Sequence, residues 1–377
     1  MEQWQAGWTQ AVVDVHDFGT SFVDVTVRAR VVTALGGDHV RLALSNRFGK
    51  APLVIGSCAV GVGANGAAAL FAGQAEATIP AGQTRHTDPV ALHVQRGDQV
   101  QVDLFLPAET LPATGNFARM PVQVSAPGDH AGALQFPAIE TPTIPAPDGT
   151  AMAIPLPFLH SVEVCGQPAA AVLVCLGDSI TAGGWPEAAA ELLAGRVEVS
   201  ILNRGIAGNR LRVDPDPAIA SFGLSGLSRF DDDVLATAGV TDVVIALGTN
   251  DLGLPGQVAP TDELPTAQQL IDAYQRLIAQ ATAAGLRTTI ATITPFMGAE
   301  GYDHGREQTR TAVNAWIRTS APSVVDFDEA VRSASHSDRL SPEFDSGDHL
   351  HPNEAGEARL AQVMADLVAR RHSVAAG

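Results

Sequence analysis

Ser179, Asn250, Asp348 and His351 stand out among the 377 residues because together they hold the parts of an acyl-transfer site. A serine hydroxyl is a weak nucleophile at neutral pH; it needs a base within hydrogen-bond reach, and the base needs an acceptor that orients it. Asp348 and His351, three residues apart, can form that pair, with the carboxylate on Nδ1 and Nε2 turned toward Ser179. The tetrahedral oxyanion then needs preorganised donors. The backbone N–H groups of Ser179 and Gly208 and the Asn250 amide can supply them, and one such donor is commonly worth about 3 to 4 kcal/mol.

Each of these residues also has a structural reading. Ser179 suits a helix N-cap, Gly205 and Gly208 suit a turn with positive φ, and Asn250 suits an Asx-turn. It is their joint occurrence, in order along the chain, that points to catalysis. Gly205 competes with Gly208 for the oxyanion role, and His349 is expected to be a solvated neighbour of Asp348. Asp345, Asp348, His349 and His351 are metal-ligating types, but no second cluster completes a shell, so no metal is expected. Trp185, Phe296 and Met297 are candidates for substrate-pocket walls and equally for core. The segment Gly223-Leu224-Ser225-Gly226-Leu227 lacks the final glycine of the G-x-S-x-G elbow, which disfavours the α/β-hydrolase fold.

The elements that must position these groups are legible in the hydrophobic pattern. After Gly166, strand-like runs at 171–176, 197–202, 242–247, 288–293 and 324–327 alternate with helical ones at 186–194, 227–235, 267–284, 306–318 and 353–371. Five near-continuous apolar strands joined by helices predict a parallel sheet covered on both faces, with the ligand site beyond the strands' carboxyl ends. Ser179, Gly208 and Asn250 follow the first three of those ends, and Asp348 and His351 precede the last helix, where Asn353 is a candidate cap. Upstream, Val23, Val25, Val27, Ala29 and Val31 alternate with Asp24, Thr26, Arg28 and Arg30, and the 40–45 and 100–106 runs repeat the period of two. Many short strands with Gly- and Asp-rich turns predict an all-β sandwich, jelly-roll-like. The Pro-rich stretch 107–157 reads as irregular connection before a final strand at 159–164. The expected domains are therefore 1–166 (β-sandwich) and 167–377 (α/β).

The four clusters resemble, in order and spacing, the blocks of the SGNH (GDSL) hydrolases. By that resemblance Ser179 in Gly-Asp-Ser-Ile corresponds to the nucleophile, Gly208 to the block II oxyanion glycine, Asn250 in Gly-Thr-Asn-Asp to the block III amide, and Asp348 with His351 to the block V Asp-x-x-His. Gly208 is preferred to Gly205 because it lies five residues after Asn203, as in the family pattern. The resemblance, which runs from about Ala170 to the C-terminus, implies a flavodoxin-like α/β/α fold and ester hydrolysis through an acyl-enzyme, without metal or cofactor. Arg229-Phe230-Asp231, Thr294-Pro295-Phe296 and Asn314-Ala315-Trp316-Ile317-Arg318 are similar to the bacterial and fungal branch that carries an N-terminal β-domain.

Composition narrows the partners. With 23 Lys plus Arg against 41 Asp plus Glu, the net charge of −18 disfavours nucleic acid and anionic membranes, which are bound by neutralising phosphates. No run approaches the ~18 apolar residues of a membrane helix. The start, Met1-Glu2-Gln3-Trp4, carries no signal-peptide pattern, so the expectation is a cytoplasmic protein as encoded, or a secreted one if a leader was removed. Cys58, Cys165 and Cys175 show no CxxC spacing and imply neither a disulfide framework nor a zinc ribbon.

The expected activity is a serine esterase acting on short acyl chains, acetyl to butyryl, attached to a small-molecule or glycan alcohol. Because an imidazole must be neutral to act as base, activity is expected to rise through about pH 6 to 7. Alternatives are lysophospholipase-like or acyltransferase use of the same site, or a non-catalytic carbohydrate-binding protein built on the β-domain. The pattern leaves the oligomeric state open.

Overall fold

The computed structural model describes residues 3–18, 20–117, 120–145 and 151–373. The chain divides into two compact units, Met1–Pro168 and Ala169–Gly377.

In the first unit, the largest sheets are two antiparallel ones of five strands each. One orders Trp4–Thr9, Leu159–Cys165, Gly37–Ser45 and Val90–Val94, with Thr84–His86 attached to Gly37–Ser45. The other orders Gln123–Val124, Val25–Val32, Gln99–Leu106, Ser57–Val62 and Asn65–Ala68. The period of two becomes register: Val31 faces Val100, Ala29 faces Val102 and Val27 faces Leu104, and all six side chains are buried. One expectation is corrected here: Val23 lies outside the strand, 54% exposed. Arg28, which alternates with the valines, is itself only 2% exposed. Asp103 sits directly opposite Arg28 and accepts from it twice, at 2.7 and 2.8 Å, and the Phe136 ring lies 4.0 Å from the guanidinium. A charged residue is tolerated inside because its partner and its covering segment come from distant parts of the chain. The Pro-rich stretch is also more ordered than expected, with short strands at Thr114–Asn116, Gln123–Val124, Thr143–Pro145, Ala151–Ala153 and Leu156–Pro157.

The second unit is built on one parallel sheet in the order Val199–Gly205, Ala171–Gly177, Asp242–Ala246, Arg287–Ala291, Val324–Val325. Numbered along the chain this is 2-1-3-4-5, the flavodoxin-like order, whose switch point lies between the first and third strands. Every residue of Ala171–Gly177 is buried, as a central strand covered on both faces requires. On one face Leu173 and Cys175 pack with Trp185 and Ala189 of helix Trp185–Leu192, with Phe327 and Val331 of helix Phe327–Val331, and with Leu360, Met364 and Val368 of helix Glu354–Ser373. Burying each such large apolar side chain contributes about 1.5 to 3 kcal/mol. Helix Ala267–Ala283 buries Leu270, Ala273, Tyr274 and Leu277, a helical stripe, and starts with a capping box between Thr266 and Gln269. The second unit is thus an α/β unit of the kind the alternating pattern predicts. Among the described residues, no helix is long and apolar enough to cross a membrane.

Candidate active site

Local sequence explains how Ser179 is presented. The Ala171–Gly177 strand ends at Gly177, and Asp178, extended at φ −105°, caps the short helix Ser179–Ala182 by accepting from the Ile180 N–H at 3.0 Å. The cap is therefore Asp178 and not Ser179, which frees the serine hydroxyl. Ser179 Oγ lies 2.8 Å from His351 Nε2, across 172 positions of sequence. His351 Nδ1 in turn lies 2.6 Å from Asp348 Oδ2. An Nδ1–H donated to the carboxylate leaves Nε2 as the acceptor for the serine proton, the tautomer that a base requires.

The Asp348 carboxylate is held by more than the imidazole. Partial burial pushes its pKa up, but the His351 ring, the His351 and Leu350 N–H groups and the Ser346 hydroxyl outweigh that and hold it well below the usual carboxylate range. The loop is tied to the following helix by Asn353, whose Oδ1 accepts from the Gly356 N–H at 3.0 Å while Nδ2 donates to the Glu343 and Asp345 carbonyls. The predicted cap at Asn353 thus also anchors the loop. His349 is 54% exposed but not merely solvated: its Nδ1 lies 2.6 Å from Asp345 Oδ2. The two acids of the loop therefore serve two different imidazoles.

Three donors approach the same strand ends. The N–H groups of Ser179 and Gly208 carry no hydrogen bond among the described residues, and Asn250 Nδ2 uses one hydrogen on the Asn209 carbonyl at 3.0 Å, leaving the other. The choice between Gly205 and Gly208 has a physical basis. The Gly205 N–H donates to Asn203 Oδ1 at 2.9 Å, and a Cβ there would come within 2.2 Å of the Ala182 nitrogen, so Gly205 is a packing glycine beneath helix Ser179–Ala182. Gly208 has φ +77°, and its Cβ would come within 2.4 Å of the Phe222 ring. Asp251, next to Asn250, is buried and accepts from the Leu211 and Arg212 N–H groups at 2.6 and 3.0 Å, which ties the third strand's loop to the second's.

Such a set can move a proton from a hydroxyl to an imidazole and hold an oxyanion, which is acyl-transfer chemistry. Residues 175–359 match the model of the GDSL-like lipase/acylhydrolase family. They form a GDSL-like lipase/acylhydrolase domain. The protein is a carboxylic ester hydrolase, and its sheet carries the SGNH hydrolase fold. Solved structures similar to about half of this chain include Est24, a carbohydrate acetylesterase from Sinorhizobium meliloti (18% identity, 53% of this chain, 99% of that chain, TM-score 0.43). An aryl esterase from M. smegmatis (17% identity, 53% and 98%, TM-score 0.41) and a GDSL-like lipase from Bacteroides thetaiotaomicron (20% identity, 55% and 92%, TM-score 0.40) are also similar. A search of the curated proteins finds no match.

The expected pocket walls need correction. Trp185 is fully buried in the core of the hydrolase domain, edge-on to Phe327 at 5.1 Å, and lines a pocket together with Asp178, Ile180 and Thr181. Phe296 is 1% exposed and packs on Tyr302 at 3.7 Å between ring centroids, so it too is core. Met297 is partly exposed in the loop after the fourth strand. Sequence reasoning missed Asn209 and Arg229, both buried beneath the site loops. The one available signal was their position, Asn209 beside the block II glycine and Arg229 in the Arg-Phe-Asp triplet.

Proposed function

We propose that the hydrolase domain is a serine esterase for short acyl chains, acetyl to butyryl, on a small or glycan alcohol. The observation that carries this reading is the continuous relay from Ser179 Oγ to His351 Nε2, at 2.8 Å, and from His351 Nδ1 to Asp348 Oδ2, at 2.6 Å. In the proposed mechanism Ser179 Oγ bonds to the ester carbonyl carbon while its proton passes to His351 Nε2. The N–H groups of Ser179 and Gly208 and the Asn250 amide stabilise the oxyanion, and Asp348 stabilises the imidazolium. Collapse breaks the carbon–alkoxide bond, and the imidazolium proton leaves with the alcohol. Water then repeats the sequence on the acyl-enzyme, releasing the acid and regenerating Ser179. The rim beside His351 supports a water-soluble substrate, since it presents Asp345, Ser346, Asp348 and His349, all polar.

The test is hydrolysis of p-nitrophenyl esters from acetate to decanoate by the wild type and Ser179→Ala, with and without EDTA. The expected result is a loss on the order of 10⁴ in kcat for the variant, no effect of EDTA, and an optimum at or below butyrate. Full activity in Ser179→Ala would remove the nucleophile assignment, and an optimum at decanoate would remove the short-chain one.

A further inference from the structure

One buried guanidinium lies under the loops that carry the proposed oxyanion donors. Arg229 is 1% exposed and sits in helix Gly226–Phe230, outside all four sequence blocks. Its Nη2 donates to the Gly177 carbonyl at 2.9 Å, its Nη1 to the Arg204 carbonyl at 2.9 Å and to Asp233 Oδ2 at 2.7 Å, and its Nε to Asn209 Oδ1 at 3.1 Å. Gly177 and Arg204 stand at the carboxyl ends of the first two strands, just before Asp178-Ser179 and just before the turn to Gly208. Asn209, itself fully buried, extends the network: its Nδ2 donates to the Phe222, Gly223 and Leu224 carbonyls at 2.8, 3.2 and 2.8 Å, and its own carbonyl accepts the Asn250 amide at 3.0 Å.

We propose that Arg229, acting through Asn209, is a positioning residue that fixes the Ser179, Gly208 and Asn250 donors relative to one another. This rests on reading those three groups as the oxyanion hole. The planar fork of a guanidinium can address several acceptors in fixed directions at once, which an ammonium on a flexible stem cannot do. Here it links the first strand end, the second strand end and the residue after Gly208, and Asn209 carries the link to the third loop. Asp233, four residues on, where the helix passes into a single π turn over Asp231–Leu235, pairs with Arg229 and also lies 3.8 Å from the buried Arg204. The contribution proposed for Arg229 is geometric: donors held in place need no reorganisation as the oxyanion forms.

The experiment compares Arg229→Lys, Asn209→Ala and Asn250→Ala with the wild type, well below each variant's Tm. It reads kcat and KM on p-nitrophenyl acetate and the affinity of a trifluoromethyl ketone, whose tetrahedral adduct mimics the oxyanion. Asn250→Ala is expected to lose about 10² to 10³ in kcat. Arg229→Lys and Asn209→Ala are expected to lose about tenfold or more in kcat, with KM within about twofold, and to weaken the ketone by the same factor as kcat/KM. If Arg229→Lys does not fold, Asn209→Ala carries the test alone. Folded variants with kcat and ketone affinity within about twofold of wild type, or with losses confined to KM, would overturn the positioning role while Asn250→Ala still upheld the oxyanion hole. An unaffected Asn250→Ala would overturn the oxyanion reading itself, and the positioning role with it.

Discussion

Asp178 stands immediately before the proposed nucleophile and is 2% exposed, close enough to Asp251 and His351 for their charges to act on it. Burial pushes its carboxyl up to about 6, against the opposing pull of the Ile180 N–H and of His351. A carboxyl whose folded pKa is raised contributes stability below its unfolded value, near 3.9, and loses it as the pH climbs through about 6. Asp178→Asn keeps the acceptor for the Ile180 N–H and cannot ionise. Relative to wild type it should therefore gain stability between about pH 4 and pH 7, by up to about 3 kcal/mol from a shift of roughly two units. Urea unfolding of both proteins at pH 4.5 and 7.5 measures this. A difference that stays constant with pH would mean that Asp178 keeps an ordinary pKa. The proposed nucleophile, base and amide were singled out by residue type and order, because each belongs to a short motif. Arg229 and Asn209 could not be read that way. In a sequence, a buried arginine looks like any solvated one, and what decides its burial is the set of carbonyls that distant strand ends bring to it.

The element scale shows where pattern reading succeeds and where it fails. Near-continuous apolar runs gave the five parallel strands to within a few residues, because a strand covered on both faces has no polar side to blur the pattern. The 227–235 segment, read as one helix, is instead an α turn followed by a π turn, and periodicity does not register one inserted residue. The strands of the first unit showed alternation, but alternation does not show that Arg28 is buried, because its cover comes from residues 133–136. Asn314 is a similar case on a helix. It is fully buried in helix His304–Ser320, and its side chain accepts from the Ile293 N–H and donates to the Ile293 carbonyl, both at 2.8 Å. It thereby satisfies an N–H that the fourth strand, ending at Ala291, leaves unpaired, while the Ile293 carbonyl is shared with Arg310 Nη1 at 2.9 Å. Asn314→Ala strands the Ile293 N–H and should cost about 1 to 3 kcal/mol. Chemical denaturation checks this, and a change below about 0.5 kcal/mol would mean that the loop finds other partners.

At the scale of the molecule, the net charge of −18 is carried mainly by exposed side chains. Arg28, Arg210, Arg229 and Arg310 are buried and pair with Asp103, Glu263, Asp233 and Asp328, cation for anion, so these pairs leave the acidic balance of the rest of the molecule unchanged. The loop of the proposed base adds Asp345 and Asp348 to that field. A substrate with an anionic acyl group therefore approaches against a repulsive potential that reaches about 30 Å at 10 mM salt and under 10 Å at 150 mM. For p-nitrophenyl hydrogen succinate, kcat/KM should rise by about threefold or more between those salt concentrations, mainly through KM. For p-nitrophenyl butyrate, neutral and of similar length, it should change little, since a neutral ester has no charge for the field to act on. Steady-state kinetics on the two esters across a salt series reads the difference directly. Parallel salt responses would mean that the acids near His351 are locally compensated, and that the preference among acyl groups is set by the shape of the site rather than by its field.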